Sequence, residues 1–146
     1  MSRLPPTQGA MTSAEIQKYQ KMSVPTLTRL AVLHFNAFIR RRDSDGDYFT
    51  CISCSQTKPM NMCNAGHYLS GGKHSATRFD EDNVNGQCVK CNLYEHGALL
   101  GYRNGLIAKI GLEAVEALEL RGKMKARKVE RMDLISIIIK YKGRKF

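Results

Sequence analysis

The chain is 146 residues long, 42% of its residues are hydrophobic, and its formal net charge is +10. This length fits one domain with extensions, and the charge favours a polyanionic partner, with nucleic acid ahead of a membrane surface. Because no apolar run approaches the roughly 20 residues that span a bilayer, and because the first residues hold no apolar signal segment, we expect a soluble, cytoplasmic protein with no membrane association.

The first 42 residues are predicted to form a tail and two helices. The tail is the first eleven residues, which show no periodicity. A short helix has Thr12 or Ser13 as its N-cap residue, with Glu15 following as in a capping box, and ends before Pro25. A second helix runs from Pro25 to Arg42 and has apolar residues at helical spacing. Its last three residues could complement the helix dipole, bind phosphate or face solvent. They are Arg40, Arg41 and Arg42.

A helix is also predicted after the last cysteine, from Asn92 to Gly111, with Leu99, Tyr102, Leu106, Ile107 and Ile110 as its apolar stripe. Gly97, Gly101 and Gly105 recur in it every four residues and would share one face. Each glycine costs helix stability, up to about 1 kcal/mol against alanine. Two explanations stay open at this point: another backbone approaches that face closely, or the helix is broken.

The rest of the chain divides into an acidic helix and a basic one. Residues 112–122, LEAVEALELRG, predict a short acidic helix, and residues 123–146 predict a basic helix with a basic tail. From residue 121 onward there are ten Lys or Arg against two acidic residues, a net charge of +8. This concentration favours nucleic-acid contact over an ordinary solvated face. We therefore expect three regions: an N-terminal tail and helix at 1–24, a central domain at 25–120, and a basic segment at 121–146.

The five cysteines lie between residues 51 and 91, and four of them form two C-x-x-C pairs. Cys51 with Cys54, and Cys88 with Cys91, have the spacing at which two thiolates bind one tetrahedral ion while backbone amides face the sulfurs. A redox pair is the competing interpretation, but two copies without a βαβ pattern argue against it. We predict one structural Zn²⁺ per chain, which leaves Cys63 outside the site.

The residues around the two pairs carry several short motifs. They are AGHY at 65–68, RFDEDN at 78–83, QCVKCN at 87–92 and YRNGLIAKIG at 102–111. Their combination resembles the phage lambda NinG (Rap) family of recombination nucleases over residues 25–120, and their order is similar to that of HNH (ββα-metal) nucleases and of phage endonuclease VII. The resemblance implies an α+β fold, with a zinc-stapled, HNH-like ββα-metal nuclease core in residues 25–120 and flanking α-helices.

The same resemblance implies roles for individual residues. His67 would be the general base that deprotonates water, which suits a side chain that titrates near neutral pH. Asn83 would hold the loop that directs His67, with an ordinary turn asparagine as the alternative. Asn92 would bind a catalytic Mg²⁺ or Mn²⁺. Its companion ligand would be Glu95, which offers an oxygen, or His96, which matches the ligand spacing of HNH enzymes.

One departure from the family pattern concerns the acidic residue that precedes the histidine. The form associated with the NinG family is DAGHY, whereas this chain has Asn64 at the acidic position and Gly66 immediately before His67. The Asn64 carbonyl oxygen could still bind the cation, but it brings no charge. We therefore expect a lower cation affinity than an aspartate would give.

Taken with the family resemblance, these residues predict a metal-dependent DNA endonuclease that cuts branched recombination intermediates such as Holliday junctions and D-loops. Cutting a four-way junction symmetrically needs two active sites, so we expect a homodimer, with recombination proteins as further partners and the host cytoplasm as its location if the chain is phage-encoded. The alternatives are a non-selective HNH nicking enzyme and a non-catalytic zinc-knuckle DNA-binding protein. The predicted contacts to double-stranded or branched DNA are Arg40, Arg41, Arg42, Lys73, Arg78 and Arg103.

Overall fold

The computed structural model describes residues 12–70 and 75–143. These residues form helices and two small antiparallel sheets, so the predicted α+β class is confirmed. They fall into two compact units, one within residues 1–38 and 128–145 and the other within residues 39–127. The predicted boundaries after residues 24 and 120 stay predictions, and the predicted N-terminal tail lies outside the described residues. In the part of the chain that is described, no helix has both the length and the apolar character needed to cross a bilayer.

The first unit is helical. Helix α1 (Ser13–Gln20) starts at the predicted capping box, in which the Thr12 hydroxyl accepts a hydrogen bond from the Glu15 amide at 3.2 Å and the Glu15 carboxylate accepts one from the Thr12 amide at 3.4 Å. Helix α2 (Val24–Arg42) matches the predicted second helix and contributes its residues up to Phe38 to this unit. The choice between Thr12 and Ser13 is thereby settled in favour of Thr12.

The predicted basic helix of the C-terminal segment is shorter than expected. Residues 125–130 form no helix, and the helix begins at Arg131. The reason is a second capping box, in which the Glu130 side chain accepts from the backbone amide of Asp133 and the Asp133 carboxylate accepts from that of Glu130 at 2.8 Å. The end of the predicted basic tail lies outside the described residues.

The second unit contains both sheets. Strands β1 (Ser44–Asp45), β2 (Tyr48–Thr50) and β3 (Thr57–Pro59) form one antiparallel sheet, and β4 (Cys63–His67) pairs with β5 (Val84–Cys88) in the other. In the β4–β5 hairpin, Cys63 lies opposite Cys88 at one end and His67 lies opposite Val84 at the other. Four residue steps separate these ends, which is about 13 Å along the strand.

Two helices complete this unit, α3 (Leu99–Ile110) and α4 (Leu112–Lys123). They share a buried core with one another, formed by Tyr102, Leu106, Val115 and Leu118. A π-helical turn, residues 90–94, contains Cys91 of the second cysteine pair and precedes α3. This arrangement places a helical segment directly after the β4–β5 hairpin in the chain.

Glycine occupies the positions after the last cysteine for two different structural reasons. A Cβ at Gly105 would lie 1.9 Å from the Ile52 carbonyl oxygen, and one at Gly101 would lie 2.3 Å from that of Ser53. Close approach of another backbone, that of the first cysteine pair, is therefore confirmed for both. Gly97, with φ of +81°, instead lies in the turn that ends the helical segment. The predicted continuous helix from Asn92 is wrong at residues 95–98, which have no helical conformation.

Candidate metal centre and active site

The two predicted cysteine pairs meet at one point. The sulfur atoms of Cys51, Cys54, Cys88 and Cys91 all lie within 4.8 Å of one another, and the Cys54 and Cys88 sulfurs are 3.9 Å apart. Sulfurs that bind one tetrahedral Zn²⁺ at about 2.3 Å lie about 3.8 Å from each other. Three of the four cysteines are buried, which is typical of a closed structural site. The group could therefore bind a metal such as zinc.

Backbone amides support the thiolate form of one ligand in this group. Burial acts to raise the pKa of Cys51, yet that pKa is lowered, because the amides of Cys88, Cys54 and Ser53 donate hydrogen bonds to its sulfur. The Cys88 amide nitrogen is 3.3 Å from the Cys51 sulfur. Amides directed at thiolates in this way are what the C-x-x-C spacing predicts, and they fit a resident cation.

Cys63 is buried beside this group but does not belong to it. Burial raises the pKa of its thiol to about 11, and the nearby negative charge of Asp43 acts in the same direction. The thiol is therefore protonated at neutral pH and is a poor nucleophile. Its exclusion from the four-cysteine site agrees with the sequence prediction.

His67 ends strand β4 at the opposite end of the hairpin. Its Nε2 atom is 2.9 Å from the carbonyl oxygen of Arg78. Since a carbonyl oxygen accepts and does not donate, Nε2 carries the proton of the neutral ring and Nδ1 carries the free lone pair. The pKa of His67 is lowered from its ordinary 6.5, chiefly by burial and further by the Arg78 charge, although the carbonyl bond opposes this change. The ring is therefore neutral at pH 7 and has Nδ1 as its basic atom.

Asn83 fixes the loop that leads away from His67. The side chain is fully buried, and its Oδ1 accepts from the Leu69 amide at 2.8 Å. Its Nδ2 donates to the carbonyls of Leu69 and Thr77, at 3.0 and 2.9 Å. The Asn83 carbonyl also accepts from the Tyr68 amide at 2.9 Å. One residue thus connects the residues that follow β4 to those that precede β5.

Two arginines hold the segment that contains Asn83, a role that sequence reasoning missed. Arg42, at the end of α2, donates to the carbonyls of Glu81 and Val84, both at 2.8 Å, and to Asn85 Oδ1 at 3.1 Å. Arg121, on α4, pairs with Asp80 at 2.9 Å. The acceptors lie about forty residues away along the chain, so no local pattern could have predicted either contact.

Tyr102 is a further residue of the site whose role the sequence did not reveal. Its hydroxyl is completely buried and donates to the Gly66 carbonyl at 2.6 Å, while it accepts from Asn85 Nδ2 at 3.3 Å. Burial raises its pKa, so the hydroxyl stays protonated. Its place in the apolar stripe of α3 could be predicted, but the polar contact that ties α3 to the residue before His67 could not.

Neither position at which the family pattern would place an acidic ligand could direct one toward His67. There is no space for a side chain at Gly66, and the side chain at Asn64 projects away from His67. A Cβ at Gly66 would lie 2.0 Å from Gln87 Oε1, so the fully buried Gln87 fills that space. Asn64 lies opposite Gln87 in the hairpin and three residues before His67. Because successive strand residues alternate between faces, the Asn64 and His67 side chains project from opposite faces.

The remaining predicted ligands follow the second cysteine pair. Asn92 is half-buried on the π-helical turn, next to Cys91. Glu95 and His96 are exposed and lie beyond the end of that turn, where His96 has a φ of +49°. On the continuous helix predicted from Asn92, Glu95 and His96 would share a face with Asn92, and this expectation is wrong because the chain leaves the helical path at Glu95.

The predicted DNA contacts differ in how far they are already engaged. Arg42 is committed to internal acceptors, and Arg103 pairs with Glu119 at 3.0 Å while staying partly exposed. Arg78 lies over the Phe79 ring, with its guanidinium carbon 5.5 Å from the ring centroid. Arg41 is exposed and Arg40 is half-buried, and Lys73 lies outside the described residues.

The fold and the site define an α+β protein that combines a four-cysteine group able to bind a metal with a hydrogen-bonded hairpin carrying a half-buried histidine. Residues 10–145 match the family model described as Bacteriophage Lambda NinG protein, and the chain belongs to this NinG family.

Individual relatives agree with this assignment. An 84-residue part is 46% identical to Protein ninG of Escherichia phage 933W, and a part of equal length is 45% identical to Protein ninG of Salmonella phage P22 and of Escherichia phage lambda. Each match covers 58% of this chain and 39–40% of the relative, so it spans about two fifths of the relatives' length. No solved structure matches the chain.

Proposed function

We propose that the protein is a metal-dependent, structure-selective DNA endonuclease with an HNH-like core, acting on branched recombination intermediates such as Holliday junctions and D-loops. The observation that carries the proposal is the state of His67, a neutral, half-buried imidazole with one nitrogen fixed by a backbone carbonyl and the other left basic. The hairpin followed by a helical segment, stapled by two cysteine pairs, supports the ββα-metal comparison.

In this proposal His67 is the general base. Because Nε2–H is held by the Arg78 carbonyl, Nδ1 would take a proton from the attacking water. The lowered pKa keeps the ring ready to accept that proton at neutral pH. Asn83 acts as a positioning residue, since it holds the loop that carries the Arg78 carbonyl in place.

The catalytic cation is the weakest element of the proposed site. Mg²⁺ or Mn²⁺ would neutralise charge that develops on the phosphate and the departing oxygen. Asn92 is its proposed ligand, with Glu95 or His96 as further candidates, whereas the Asn64 side chain projects from the face of β4 opposite to that of His67. Gly66 offers no side chain and its surroundings admit none, so the site is poorer in carboxylates than hard cations prefer. This observation favours a second candidate, a non-catalytic zinc-knuckle protein that binds DNA.

A cleavage assay separates the two candidates. The protein would be incubated with Mg²⁺ or Mn²⁺ and labelled four-way, Y-shaped and linear duplex DNA, and binding would be measured in parallel. We expect cleavage of the branched substrates and much less of the linear one. Binding without cleavage of any substrate would leave the non-catalytic candidate. Equal cleavage of linear and branched DNA would remove the structure selectivity and leave a nicking enzyme.

His67→Ala tests the proposed base. The change should lower the cleavage rate about 10²- to 10⁴-fold while zinc content and DNA binding stay near those of the unchanged protein. His67→Gln is the matched control, because its amide can still donate to the Arg78 carbonyl but supplies no base. Full activity in the Gln variant would show that the residue is structural. Gel filtration with light scattering tests the proposed homodimer.

A further inference from the structure

Four large apolar side chains are exposed within eight residues of the chain, directly after the second cysteine pair. They are Leu93, 62% exposed, Tyr94, 75%, Leu99, 52%, and Leu100, 79%. We call residues 93–100 the apolar tip. Leu99 belongs to the predicted apolar stripe of α3, yet it faces outward, whereas Tyr102 and Leu106 of the same stripe are buried. The exposed side chains add nothing to the core of the protein.

The backbone of the apolar tip is held in an unfavourable conformation. His96 and Ala98 have φ values of +49° and +44°, which residues other than glycine adopt at a cost. The turn is nevertheless fixed, because the Gly97 amide donates to the Cys91 carbonyl at 3.0 Å and the Gly97 carbonyl accepts from Gln87 Nε2 at 2.7 Å. Two hydrogen bonds thus hold a costly backbone conformation next to the four-cysteine group.

Charge distinguishes the apolar tip from the exposed leucines of α4. Beside the apolar tip, Lys58 and Lys90 line a cavity together with Glu95 and Ala98, so two of the side chains around it are basic and one is acidic, on a chain whose net charge is +10. The exposed Leu112 and Leu120 of α4 lie in residues 112–123, which hold three acidic and two basic side chains, a net charge of −1. The surroundings of the apolar tip thus suit a polyanion, whereas a second copy of this chain would bring the same excess of positive charge.

We propose that the apolar tip is a wedge that inserts between bases at the branch point of DNA, with Tyr94 stacking on an unpaired base and Leu93 taking the place of its neighbour in the stack. The proposal rests on the proposed function for its substrate, because the tip begins one residue after Asn92. Apolar side chains that enter a base step must first separate the two bases, and aromatic side chains stack on any base. A branch point already lacks continuous stacking, so insertion costs least there.

This wedge would explain selectivity that charge alone does not give. Phosphate contacts by basic residues are equally available on linear and branched DNA. A side chain that stacks at an interrupted base step gains affinity at the branch and nothing on a continuous duplex. The apolar tip would therefore determine which DNA structure is bound, independently of His67.

The test compares the Leu93→Ser/Tyr94→Ala double variant with the unchanged protein in Ca²⁺, where binding is measured without cleavage. We expect about tenfold weaker binding to four-way and Y-shaped DNA and unchanged binding to linear duplex. Permanganate, which oxidises thymines that have lost their stacking, should attack a thymine displaced by Leu93 more strongly than in the free branched DNA when the unchanged protein is bound, and only as strongly as in the free DNA when the double variant is bound. Tyr94→Phe keeps an aromatic ring and should behave like the unchanged protein.

Leu120→Ala is the matched control, since it removes an equally exposed leucine from the acidic helix and should change neither binding nor oxidation. Zinc content and circular dichroism would show that each variant is folded, and Tyr94→Ser alone carries the test if the double variant is not. Unchanged branch affinity and oxidation in a folded double variant would overturn the proposal. So would a double variant that becomes monomeric while its DNA binding is unchanged, since the tip would then be an interface between copies.

Failure of the proposed nuclease function would look different. If the unchanged protein binds branched DNA through the apolar tip but never cleaves it with Mg²⁺ or Mn²⁺, the wedge is supported and the endonuclease is not.

Discussion

The two ends of the β4–β5 hairpin are stabilised by different chemistry. At the Cys63–Cys88 end, four sulfurs within 4.8 Å of one another form a group suited to a metal ion. At the His67 end, hydrogen bonds from Asn83 and Tyr102 hold the backbone on either side of the histidine. A metal ion can staple a segment with little core of its own, whereas hydrogen bonds set the direction and tautomer of a single side chain.

This difference separates stability from chemistry within one hairpin. At the cysteine end four sulfurs meet at one point, and a metal bound there would supply the stabilising free energy. At the histidine end, one ring nitrogen of His67 must meet a hydrogen-bond acceptor, which is the Arg78 carbonyl. The hydrogen bonds around it join backbone carbonyls to neutral side-chain amides. Changes at the first end should therefore unfold the second unit, and changes at the second end should alter the reactivity of a protein that is still folded.

Cys88→Ser should produce the largest effect. The variant is expected to lose its metal and to unfold the second unit, because structural zinc contributes on the order of 10 kcal/mol in small metal-stapled domains. Metal content by mass spectrometry and thermal melting by circular dichroism check this. Cys63→Ser is the matched control, since this buried thiol lies outside the group and its loss should leave one metal per chain. A stable, metal-free Cys88→Ser protein would contradict the metal assignment.

Asn83→Ala should affect the other end of the hairpin. It removes three hydrogen bonds to the backbone of Leu69 and Thr77 and should lower the free energy of unfolding by about 1–3 kcal/mol. Loss of this support should also lower cleavage about 10- to 100-fold while the metal content stays at one per chain. Chemical denaturation and cleavage rates measure both effects. The matched control Asn61→Ala, at an exposed position, should change neither quantity. Loss of the metal from the Asn83→Ala protein would contradict the view that the two ends of the hairpin are independent.

Gly105→Ala tests the contact by which α3 supports the cysteine end. The added methyl group would lie 1.9 Å from the Ile52 carbonyl oxygen, so the helix must move away from the first cysteine pair. We expect a loss of about 1–3 kcal/mol of stability, typical of overpacking, although alanine favours a helix. The exposed neighbour Asn104→Ala should instead be neutral or slightly stabilising. Equal melting temperatures for the two variants would show that this contact is not tight.

The sequence predicted the cysteine end better than the histidine end, for a physical reason. Two C-x-x-C pairs specify their own geometry locally, and the regular spacing of Gly101 and Gly105 indicated a close backbone contact. The turn at residues 95–98 was missed, because His96 and Ala98 adopt left-handed conformations that their own propensities disfavour. A bond from Gln87 to the Gly97 carbonyl holds that turn, and nothing local indicates it.

The surroundings of His67 were harder to predict still. Its place on a strand could be expected from the family resemblance, but its tautomer is set by the Arg78 carbonyl, and every residue has a carbonyl. Arg42 was expected at DNA, and it binds internal acceptors that β5 and the preceding loop supply from about forty residues later in the chain. Such contacts depend on tertiary structure and leave no pattern in the sequence.

Arg78→Gln should give the smallest effect, and it tests how the charge of Arg78 acts on the pKa of His67. The pKa of His67 is lowered by burial and by the Arg78 charge, while the Arg78 carbonyl bond acts to raise it. Removing the charge leaves the carbonyl bond in place, so the pKa should move upward, toward 6.5. If His67 is the base, the acidic limb of the pH profile of cleavage should move to higher pH by the same amount, because a larger fraction of the His67 rings would be protonated at each acidic pH.

Titration of the His67 ring protons by NMR measures the pKa shift without DNA, and the exposed Lys123→Gln should cause none. A pKa that stays constant or falls would mean that the Arg78 side chain does not face the ring, and that burial alone keeps His67 neutral.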